Sequence, residues 1–538
     1  MGLNFADIFE TVAATVPDEP ALIVRASDGD EVRLTFAELD ARANQLAHAL
    51  AGLGVGAGDH VGCHLYDGNQ YIETTLAAFK LRAVSVNVNF RYVDEELAYL
   101  FDNADLKAVV TEPELEDLAV RAASTVDWMC PVIVADDGYE ALLAEQPTTP
   151  PDVGERSPDD RYAVWTGGTT GMPKGVVWRH EDIYKSAVGG GANPALGIPE
   201  IKDLDDVAAR ASGPWPIPGL LALCPLMHAG GWWLSFSSML AGSYAVLIRD
   251  TGFDPAFALR VAAEEQVSVV MTIGDAYARP IVDHLEAVGP DAYDLSKLLI
   301  YGSGGAILSP AVKDALAAVL PTTFVHDGFG ASETGGQGRL TGTGEDGAPR
   351  VELGANNVVI ADDGTLCEPG DGRTGMLAIS GHIPLGYYKD PEKTAKTFPV
   401  IDGVRYAVPG DIASVDADGS IAIYGRGSVS INSGGEKIFP EEVERALKSH
   451  PAVFDATVVG TPNERFGSQV TALVELRPDH VADPPSLHAL QEHCREHLAG
   501  YKVPRAVVFV DETVRSPSGK PDYRWARETA LARLDVPA

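Results

Sequence analysis

Apolar residues recur with two different spacings in the first part of the chain, and the two spacings alternate. Thr35 and Glu38 carry the signature of a capping box, and leucines at helical spacing follow them until Gly54. Short apolar runs at 60–65 and 83–88 predict buried strands. Strands that alternate with helices in this way predict parallel sheets covered by helices.

The same alternation returns over residues 220–305, where a helix near 257–265 precedes strands at 267–271 and 298–301. Between the two halves, residues 188–219 are rich in glycine and proline and predict a long surface excursion. Such a segment is either a lid or binding loop, or a tolerated insertion.

Beyond these helical layers, residues 350–425 are dominated by strand and turn signals. The composition then shifts to that of a compact α+β unit, with a helix predicted over about 440–450. We place the boundary at 426–428, as a hinge between an N-terminal domain, 1–425, and a C-terminal domain, 429–538.

The chain carries a formal net charge of −36 over 538 residues. Such an excess of acidic residues argues against nucleic acid and anionic membrane surfaces as partners. The acidic runs at 94–96 and 203–206 are interpreted as solvated faces. A protein of this charge that binds anionic ligands must concentrate positive charge locally.

Five cysteines are spread along the chain without a C-x-x-C spacing, so we interpret them as reduced thiols of a cytoplasmic protein. The N-terminal stretch lacks the basic start and apolar core of a signal peptide, and none is expected. Apolar runs of about 18 residues are absent from the sequence, so no membrane span is expected either.

Ten residues, 166–175, combine four glycines, three threonines and one lysine. Glycines let backbone N–H groups approach a ligand closely, hydroxyls add donors and the lysine adds positive charge, which together suit a polyphosphate. The spacing does not fit a Walker A loop. A plain hairpin between Val164 and Val176 is the alternative. The candidate phosphate-binding residues are Thr166, Thr169, Thr170, Gly171 and Lys174.

This loop resembles the phosphate loop of the adenylate-forming superfamily, which includes acyl-CoA synthetases, peptide-synthetase adenylation domains and luciferases. Gly167 stands where that family usually has serine, and backbone N–H groups can still hold phosphate there. The resemblance implies an α/β fold with a large N-terminal region of two αβ layers plus a small β-barrel. It also implies a small, mobile α+β C-terminal domain.

Further motifs resemble the nucleotide-binding segments of the superfamily. Phe329 begins a match to the motif Y-G-x-T-E, which implies that its ring stacks on adenine, that Ser332 meets phosphate and that Glu333 helps to hold Mg²⁺. Asp327 lies where the family has a residue near the adenine amino group. By itself, a glycine-rich strand end is usually a plain turn. The residues implied to lie along the adenosine are Gly304, Gly305 and Ala306.

Asp411 and Arg426 extend the resemblance to the ribose side. Residues 406–411 resemble the motif Y-x-T-G-D, with Pro409 in place of threonine, and a carboxylate that accepts two hydrogen bonds suits the ribose diol. The resemblance implies that Arg426 contacts ribose and phosphate near the hinge. Ser428 stands where the family usually has Asp or Lys, so we expect a different balance between conformers.

Two C-terminal segments resemble the loops that alternate at the active site of the superfamily. Residues 433–444 match the loop whose glycines, here Gly434 and Gly435, line the pantetheine tunnel of CoA. Residues 516–521 match the loop whose lysine, here Lys520, neutralises charge as the carboxylate attacks the α-phosphate. The catalytic residues implied are Lys520, Glu333, Thr166 and Lys174.

The acid side of the site is implied by residues 225–233. His228 is expected beside the acyl pocket, although a lone histidine is usually a satisfied core residue. Gly230 and Gly231 remove side-chain volume there, which predicts a bulky acid, and Trp232 is either pocket wall or core.

Within the superfamily, the chain resembles actinobacterial steroid and long-chain acyl-CoA ligases. The segments that carry this resemblance are 87–92, 178–182, 427–432 and 521–525. It implies a ligase that uses ATP, Mg²⁺ and CoA to activate a bulky apolar acid through an acyl-adenylate. Steroid, terpenoid and long-chain acids all fit that description.

Two alternatives stay open. One is an enzyme that performs a single half-reaction or hands its acyl group to a carrier protein, although the CoA-type loop at 433–444 argues against a carrier. The other is a non-catalytic acyl or nucleotide binder, which the presence of Lys174, Glu333 and Lys520 disfavours. The expected partners are the acid, ATP and CoA, with no nucleic acid, and a homodimer is left open.

Overall fold

The computed structural model describes residues 2–534 except for a set of short segments. Those segments are 169–170, 194–196, 215–216, 307, 345–347, 355, 427–428, 430, 434–435, 464–466, 499 and 516–519. Within the described part of the chain, no helix is both long and apolar enough to cross a bilayer. All five cysteines are buried free thiols.

The predicted alternation of helices and strands is confirmed at the start of the chain. The elements there are α1 Phe5–Thr15, β1 Pro20–Arg25, β2 Glu31–Thr35, α2 Phe36–Gly52, β3 His60–His64, α3 Asn69–Lys80, β4 Val84–Asn87, α4 Asp94–Asn103, β5 Leu106–Thr111, α5 Glu116–Ala123, β6 Val132–Val134 and α6 Asp137–Ala144. The capping box of α2 is present, because Thr35 accepts from the Glu38 N–H at 3.2 Å while Glu38 accepts from the Thr35 N–H at 2.9 Å.

The middle of the chain repeats the pattern. Its elements are β7 Arg161–Gly168, β8 Gly171–Arg179, α7 His180–Ala187, α8 Leu204–Ser212, β9 Leu220–Ala222, α9 Ala229–Met239, β10 Ala245–Ile248, α10 Pro255–Glu264, β11 Val269–Thr272, α11 Gly274–Val288, β12 Ile300–Ser303, α12 Pro310–Val319 and β13 Phe324–Ala331. The helix and strands expected between residues 257 and 301 correspond to α10, β11 and β12.

The excursion predicted over 188–219 contains a helix, α8, which the sequence pattern did not predict. Asp203 caps this helix by accepting a hydrogen bond from the Asp206 N–H at 3.0 Å. Val207 and Ala211 are the buried residues of the helix. The acidic run interpreted as a solvated face is therefore the N-terminal cap and first turn of a helix, where carboxylates are stabilised by the helix dipole.

Two parallel sheets form the helical layers. One has the strand order β4-β3-β5-β6, and the other runs β2-β1-β10-β9-β11-β12-β13, with β2 antiparallel to β1. A single buried cluster joins residues of both sheets with the helices α1, α2 and α3. The carboxyl ends of the two sets of strands are the edges where an α/β fold usually binds its ligands.

The segment expected to form a β-barrel continues the second sheet through β13. Its elements are β14 Gly335–Thr343, β15 Pro349–Leu353, β16 Asn357–Ala361, β17 Thr374–Ser380, β18 Gly386–Tyr387, α13 Pro391–Thr397, β19 Val400–Ile401, β20 Val404–Ala407, β21 Asp411–Val415 and β22 Ile421–Arg426. Most of these strands extend the sheet as β14-β15-β22-β21-β17-β20-β19, and β18 instead pairs with β8. The antiparallel part has a core of its own.

A smaller α+β unit follows, and the predicted fold class of a large α/β region with a small C-terminal domain is confirmed. Its elements are β23 Ile431–Ser433, β24 Glu436–Ile438, α14 Pro440–Lys448, β25 Val453–Asn463, β26 Gly467–Leu476, α15 Leu487–His497, β27 Ala506–Val510 and α16 Tyr523–Leu534. This unit has a separate hydrophobic core. It meets the N-terminal region where the Phe439 ring stacks on Tyr424, with centroids 6.2 Å apart.

Candidate active site

The described residues of the glycine- and threonine-rich segment lie on the paired strands β7 and β8. Thr166 on β7 is paired with Lys174 on β8, and Gly171 begins β8. Thr169 and Thr170 lie outside the described residues. The backbone is thus the hairpin that was the alternative interpretation, and the tip of a hairpin can present N–H groups to a phosphate as the motif requires.

The Asn87 side chain at the end of β4 fixes both sides of the candidate site. Its carbonyl oxygen accepts the Trp165 N–H at 2.7 Å, one residue before Thr166. Its amide donates to the carbonyl oxygens of Trp165, at 2.8 Å, and Met227, at 2.6 Å. One side chain therefore holds the strand that enters the phosphate loop and the segment that leads to His228.

Five side chains on the phosphate side form what we call the phosphate-side cluster: Lys174, Glu333, Tyr387, Asp390 and Lys393. The Lys174 amine lies 2.9 Å from the Asp390 carboxylate, and Glu333 accepts the Tyr387 hydroxyl at 2.7 Å. The Lys393 amine lies 4.3 Å from the centroid of the Tyr387 ring, in cation–π geometry. Burial and the positive charge of Lys174 lower the pKa of Lys393.

The sequence did not predict Tyr387 and Lys393 as site residues. They reach the site because β18 pairs with β8 just beyond the loop, where the Tyr388 N–H donates to the Gly175 carbonyl at 2.8 Å. In the sequence, residues 386–394 show only two tyrosines and a charged turn. The signal that places them is a strand pairing between segments about 200 residues apart, which no local pattern reveals.

Glu333 is positioned by a turn that glycine makes feasible. A Cβ at Gly330 would lie 2.2 Å from the carbonyl oxygen of Gly335, so the two strands can approach closely only without a side chain there. The Trp178 indole N–H donates to the Ser332 carbonyl at 3.1 Å and ties this turn to β8. The motif residues Ser332 and Glu333 are thus held beside the strand that carries the phosphate loop.

The residues expected along the nucleoside lie directly after β12 and within β13. Gly305 has φ of +80° and open space where a Cβ would be, and Gly304 is nearly as open. Asp327 is buried, and this burial raises the pKa of its carboxyl to about 7. Phe329 is half-buried against the core of the antiparallel strands, and Ala306 packs on the main core.

Asp411 and Arg426, the two candidate ribose-side residues, lie on neighbouring strands. Asp411 begins β21 and is buried, and Arg426 ends β22 directly opposite it in the antiparallel ladder. Gly425 takes a φ of +124°, and a Cβ there would lie 2.4 Å from the Glu441 carboxylate of α14. The chain therefore enters the C-terminal domain beside the ribose-side residues, and the hinge residues 427–428 lie outside the described residues.

Lys520 is half-buried at the end of a turn whose middle lies outside the described residues. A β-bridge between Arg515 and Pro521 closes this turn. The Asp455 carboxylate accepts from the Arg515 guanidinium at 2.6 Å, so the turn is anchored to β25. The two glycines expected to line the CoA channel, Gly434 and Gly435, lie outside the described residues.

Lys448 connects the two domains, because its amine lies near one carboxylate of each domain. This buried lysine on α14 places its amine 3.6 Å from Asp455 and 3.4 Å from Asp275, at the start of α11. Asp275 also accepts the Ser309 N–H at 2.8 Å. In addition to burial, the negative charge of Asp275 raises the pKa of Asp327, so the ion pair lies close to the nucleoside side of the site.

The structure corrects the interpretation of Gly231, one of the two glycines expected to leave space on the acid side. Gly231 is buried, and a Cβ there would lie 2.3 Å from the Cys224 carbonyl oxygen and 2.4 Å from that of Pro225. Glycine at this position lets α9 sit against its own preceding loop, so it does not add volume to a pocket. Gly230 is exposed, with open space around it, and His228 is the half-buried N-cap residue of α9.

The Trp232 ring lies in the core. It stacks on Phe236 at 4.1 Å and on Tyr162 at 4.5 Å between ring centroids, and it is 2% exposed. Of the two interpretations given for this residue, the structure therefore favours the core.

Two family profiles match the chain. The profile of the AMP-binding enzyme matches residues 9–388, and the profile of the AMP-binding enzyme C-terminal domain matches residues 442–520. The first match by itself spans more than half of the chain.

The chain is also similar over nearly its whole length to two characterised ligases. It is 45% identical over 559 residues to a 3-oxocholest-4-en-26-oate–CoA ligase of Rhodococcus rhodochrous, a match that covers 99% of this chain and 97% of that protein. It is 44% identical over 554 residues to a medium/long-chain-fatty-acid–CoA/3-oxocholest-4-en-26-oate–CoA ligase of Mycobacterium tuberculosis (strain ATCC 25618 / H37Rv), with the same coverage.

Solved structures share the fold. The anthranilate CoA ligase AuaEII, in complex with anthranoyl-AMP, has a TM-score of 0.81 at 24% identity and covers 99% of this chain and 98% of its own. A fatty acyl CoA synthetase of Mycobacterium tuberculosis has a TM-score of 0.69 at 25% identity and covers 99% of both chains.

Proposed function

This chain belongs to the family of AMP-binding enzymes and is an acyl-CoA ligase, and we propose that its substrate is a steroid acid or another bulky apolar acid. The observation that carries the proposal is the 45% identity, over almost the full length of both chains, to a ligase named for a steroid acid. Terpenoid and long-chain acids belong to the same chemical class of large, apolar carboxylates.

The phosphate-side cluster supports the first half-reaction, in which the acid carboxylate attacks the α-phosphate of ATP and pyrophosphate leaves. The amines of Lys174 and Lys393 lie close enough to interact and supply positive charge to the leaving phosphates. Lys520, on its anchored turn, is the lysine we assign to the α-phosphate as charge develops there.

The residues present fit a Mg²⁺ ion. Glu333 offers a carboxylate, and its hydrogen bond from Tyr387 uses one oxygen and leaves the other to face a cation. A hard cation prefers such oxygen ligands and usually takes the rest from substrate phosphates and water. When bound, the ion would neutralise phosphate charge.

In the second half-reaction the CoA thiolate attacks the acyl carbonyl and AMP leaves. We assign the pantetheine channel to Gly434 and Gly435, and we propose that the C-terminal domain rotates about 426–428 between the two steps. His228, at the start of α9, is the residue we place nearest to the acid. The cytoplasmic location and the homodimer remain predictions.

The test measures pyrophosphate release and CoA-ester formation separately, with acetate, octanoate, palmitate, benzoate and a steroid acid. We expect both products from the same acids and the highest kcat/KM for the steroid acid, because apolar burial contributes about 25 cal/mol per Å². A clear preference for acetate or benzoate would contradict the substrate class. Pyrophosphate release without a CoA ester would instead favour the enzyme with a single half-reaction.

A further inference from the structure

A cavity of about 380 Å³ lies on the acid side of the fold and is not used by the chemistry described above. It opens where the carboxyl ends of β3 and β4, from one parallel sheet, face those of β9 and β10 from the other. We call it the distal cavity. Ligands of α/β proteins usually bind at this edge of the strands, so its position is that of a binding site.

Two pairs of aromatic rings line one part of the distal cavity, beside charged residues that include Arg249, Asp250 and Asp254. Tyr66 and Phe90 meet edge to face with centroids 5.1 Å apart, and Phe253 and Tyr277 meet at 4.6 Å. Rigid rings of this kind suit a flat, rigid hydrocarbon, because both partners lose little conformational freedom on contact.

Two polar side chains of the distal cavity, Asp67 and Arg91, can donate hydrogen bonds to a neutral acceptor. Asp67 lines the cavity, and its carboxyl accepts the Leu226 N–H at 2.7 Å. Desolvation raises the pKa of Asp67 to about 7, against the opposing effects of that N–H and of Arg91. Asp67 therefore carries a proton for much of the time near neutral pH, and the guanidinium of Arg91, which also lines the cavity, is a hydrogen-bond donor.

The distal cavity lies beside the acid side of the candidate site, because Pro225 lines the cavity and His228 follows it by three residues. Asp67 accepts a hydrogen bond from the Leu226 N–H, and His228 follows Leu226 by two residues. Tyr277 lies on α11, which begins at Gly274, and the Gly274 N–H donates to the Ser303 hydroxyl at 2.8 Å. Because β9 is two strands from β12 and neighbouring strands are about 4.8 Å apart, the cavity begins about 10 Å from the nucleoside-side glycines.

We propose that the distal cavity binds the end of the acid opposite its carboxylate, and that Asp67 and Arg91 donate hydrogen bonds to a ketone oxygen there. This inference rests on the proposed function, and it assigns to Asp67 and Arg91 the recognition of a far-end carbonyl, a group that the substrate named for the Rhodococcus rhodochrous ligase also carries. A saturated fatty acid offers no acceptor at that end. A site built to bind an acceptor discriminates against the analogue that lacks it, because the donors of the site are then left unpaired.

The test compares kcat/KM for CoA-ester formation from 3-oxo-5β-cholan-24-oic acid and from 5β-cholan-24-oic acid, which lacks the ketone. We expect the wild-type enzyme to favour the keto acid at least tenfold, the equivalent of about 1.4 kcal/mol. Asp67→Leu should reduce this ratio severalfold, to the preference that Arg91 alone supports, and Asp67→Asn, whose amide still donates, should retain most of the wild-type ratio. Asp250→Asn is the matched control, because Asp250 lines the same cavity while its carboxylate accepts from Ser27.

Equal kcat/KM for the two steroid acids in the wild-type enzyme would overturn the inference without any variant. So would an Asp67→Leu enzyme that is folded by thermal denaturation and keeps the wild-type ratio. If the wild-type enzyme makes no CoA ester from either steroid acid but makes one readily from palmitate, the steroid part of the proposed function fails together with the inference. Turnover of both steroid acids with equal efficiency contradicts only the inference.

Discussion

The phosphate-side cluster and the distal cavity present charge to a ligand in opposite ways. In the cluster, Lys174 pairs with Asp390 while its side chain remains 39% exposed, so water screens the pair and little is lost when phosphates replace it. In the cavity, Asp67 lies among aromatic rings in surroundings that disfavour its charged form. One region is suited to exchanging ions and the other to binding a neutral polar group.

This difference separates the reaction from the choice of substrate. Changes in the phosphate-side cluster should alter turnover of every acid by the same factor, because every acid reacts with the same nucleotide. Changes in the distal cavity should alter the ranking of acids and leave the use of ATP unchanged. The predictions below test this separation, beginning with the largest expected effect.

Lys520→Ala should reduce pyrophosphate release by about 10²–10³-fold for all acids alike, since a positioned charge at the transition state is lost. The same variant should still convert synthetic acyl-AMP and CoA to the CoA ester. Stopped-flow or coupled assays of the two half-reactions provide the measurement. A loss that differs strongly between acids, or that is equal in both half-reactions, would contradict the assignment of Lys520 to the phosphate side.

Lys393→Met should raise the KM for ATP about tenfold, because one charge-assisted contact to phosphate is removed. The effect should be the same for a steroid acid and for octanoate. Lys389→Met is the matched control, because Lys389 lies four residues earlier and its amine is 2.7 Å from the Asp105 carboxylate. This variant should leave the KM for ATP unchanged. If the two variants behave alike, Lys393 has no role in binding phosphate.

The smallest effect should be a pH dependence confined to the acid side. The carboxyl of Asp67, with a pKa of about 7, donates when protonated and loses this capacity as the pH rises. The preference for a keto acid over its deoxy analogue should therefore fall severalfold between pH 6 and pH 8. Asp67→Asn should give a flat ratio over that range. A wild-type ratio that rises with pH would show that ionised Asp67 is the binding form.

The alternation of helices and strands was predictable from the sequence because each parallel strand is short, apolar and bounded by turns. The capping box at Thr35 is an equally local signal, and it is present as predicted. The helix α8 was missed because only Val207 and Ala211 are buried along it, and two positions give too weak a periodicity. The acidic run that begins at Asp203 was interpreted only as a solvated face, whereas Asp203 caps that helix.

The candidate site was predictable where its residues are contiguous. The phosphate loop and the turn with Glu333 are runs of neighbouring residues, so their chemistry can be read directly. Neither Lys393 nor Asp67 belongs to a contiguous motif. Each comes close to the candidate site because its segment pairs or packs with segments that are distant in the sequence. The space attributed to Gly231 was wrong for a related reason, because only the folded chain shows that a backbone carbonyl fills it.

Lys448 is a cation shared between the domains, and its position has a consequence for the release of the product. Any rotation that separates α14 from α11 must break the 3.4 Å contact between Lys448 and Asp275. The Lys448 ammonium then moves away together with Asp455, which belongs to the same domain. The nucleoside side of the site then loses one positive charge beside Asp275 and Asp327. If the C-terminal domain rotates as we propose, positive charge leaves the nucleoside side before the thiol attacks, so the AMP formed in the second half-reaction is held less tightly and its release is favoured.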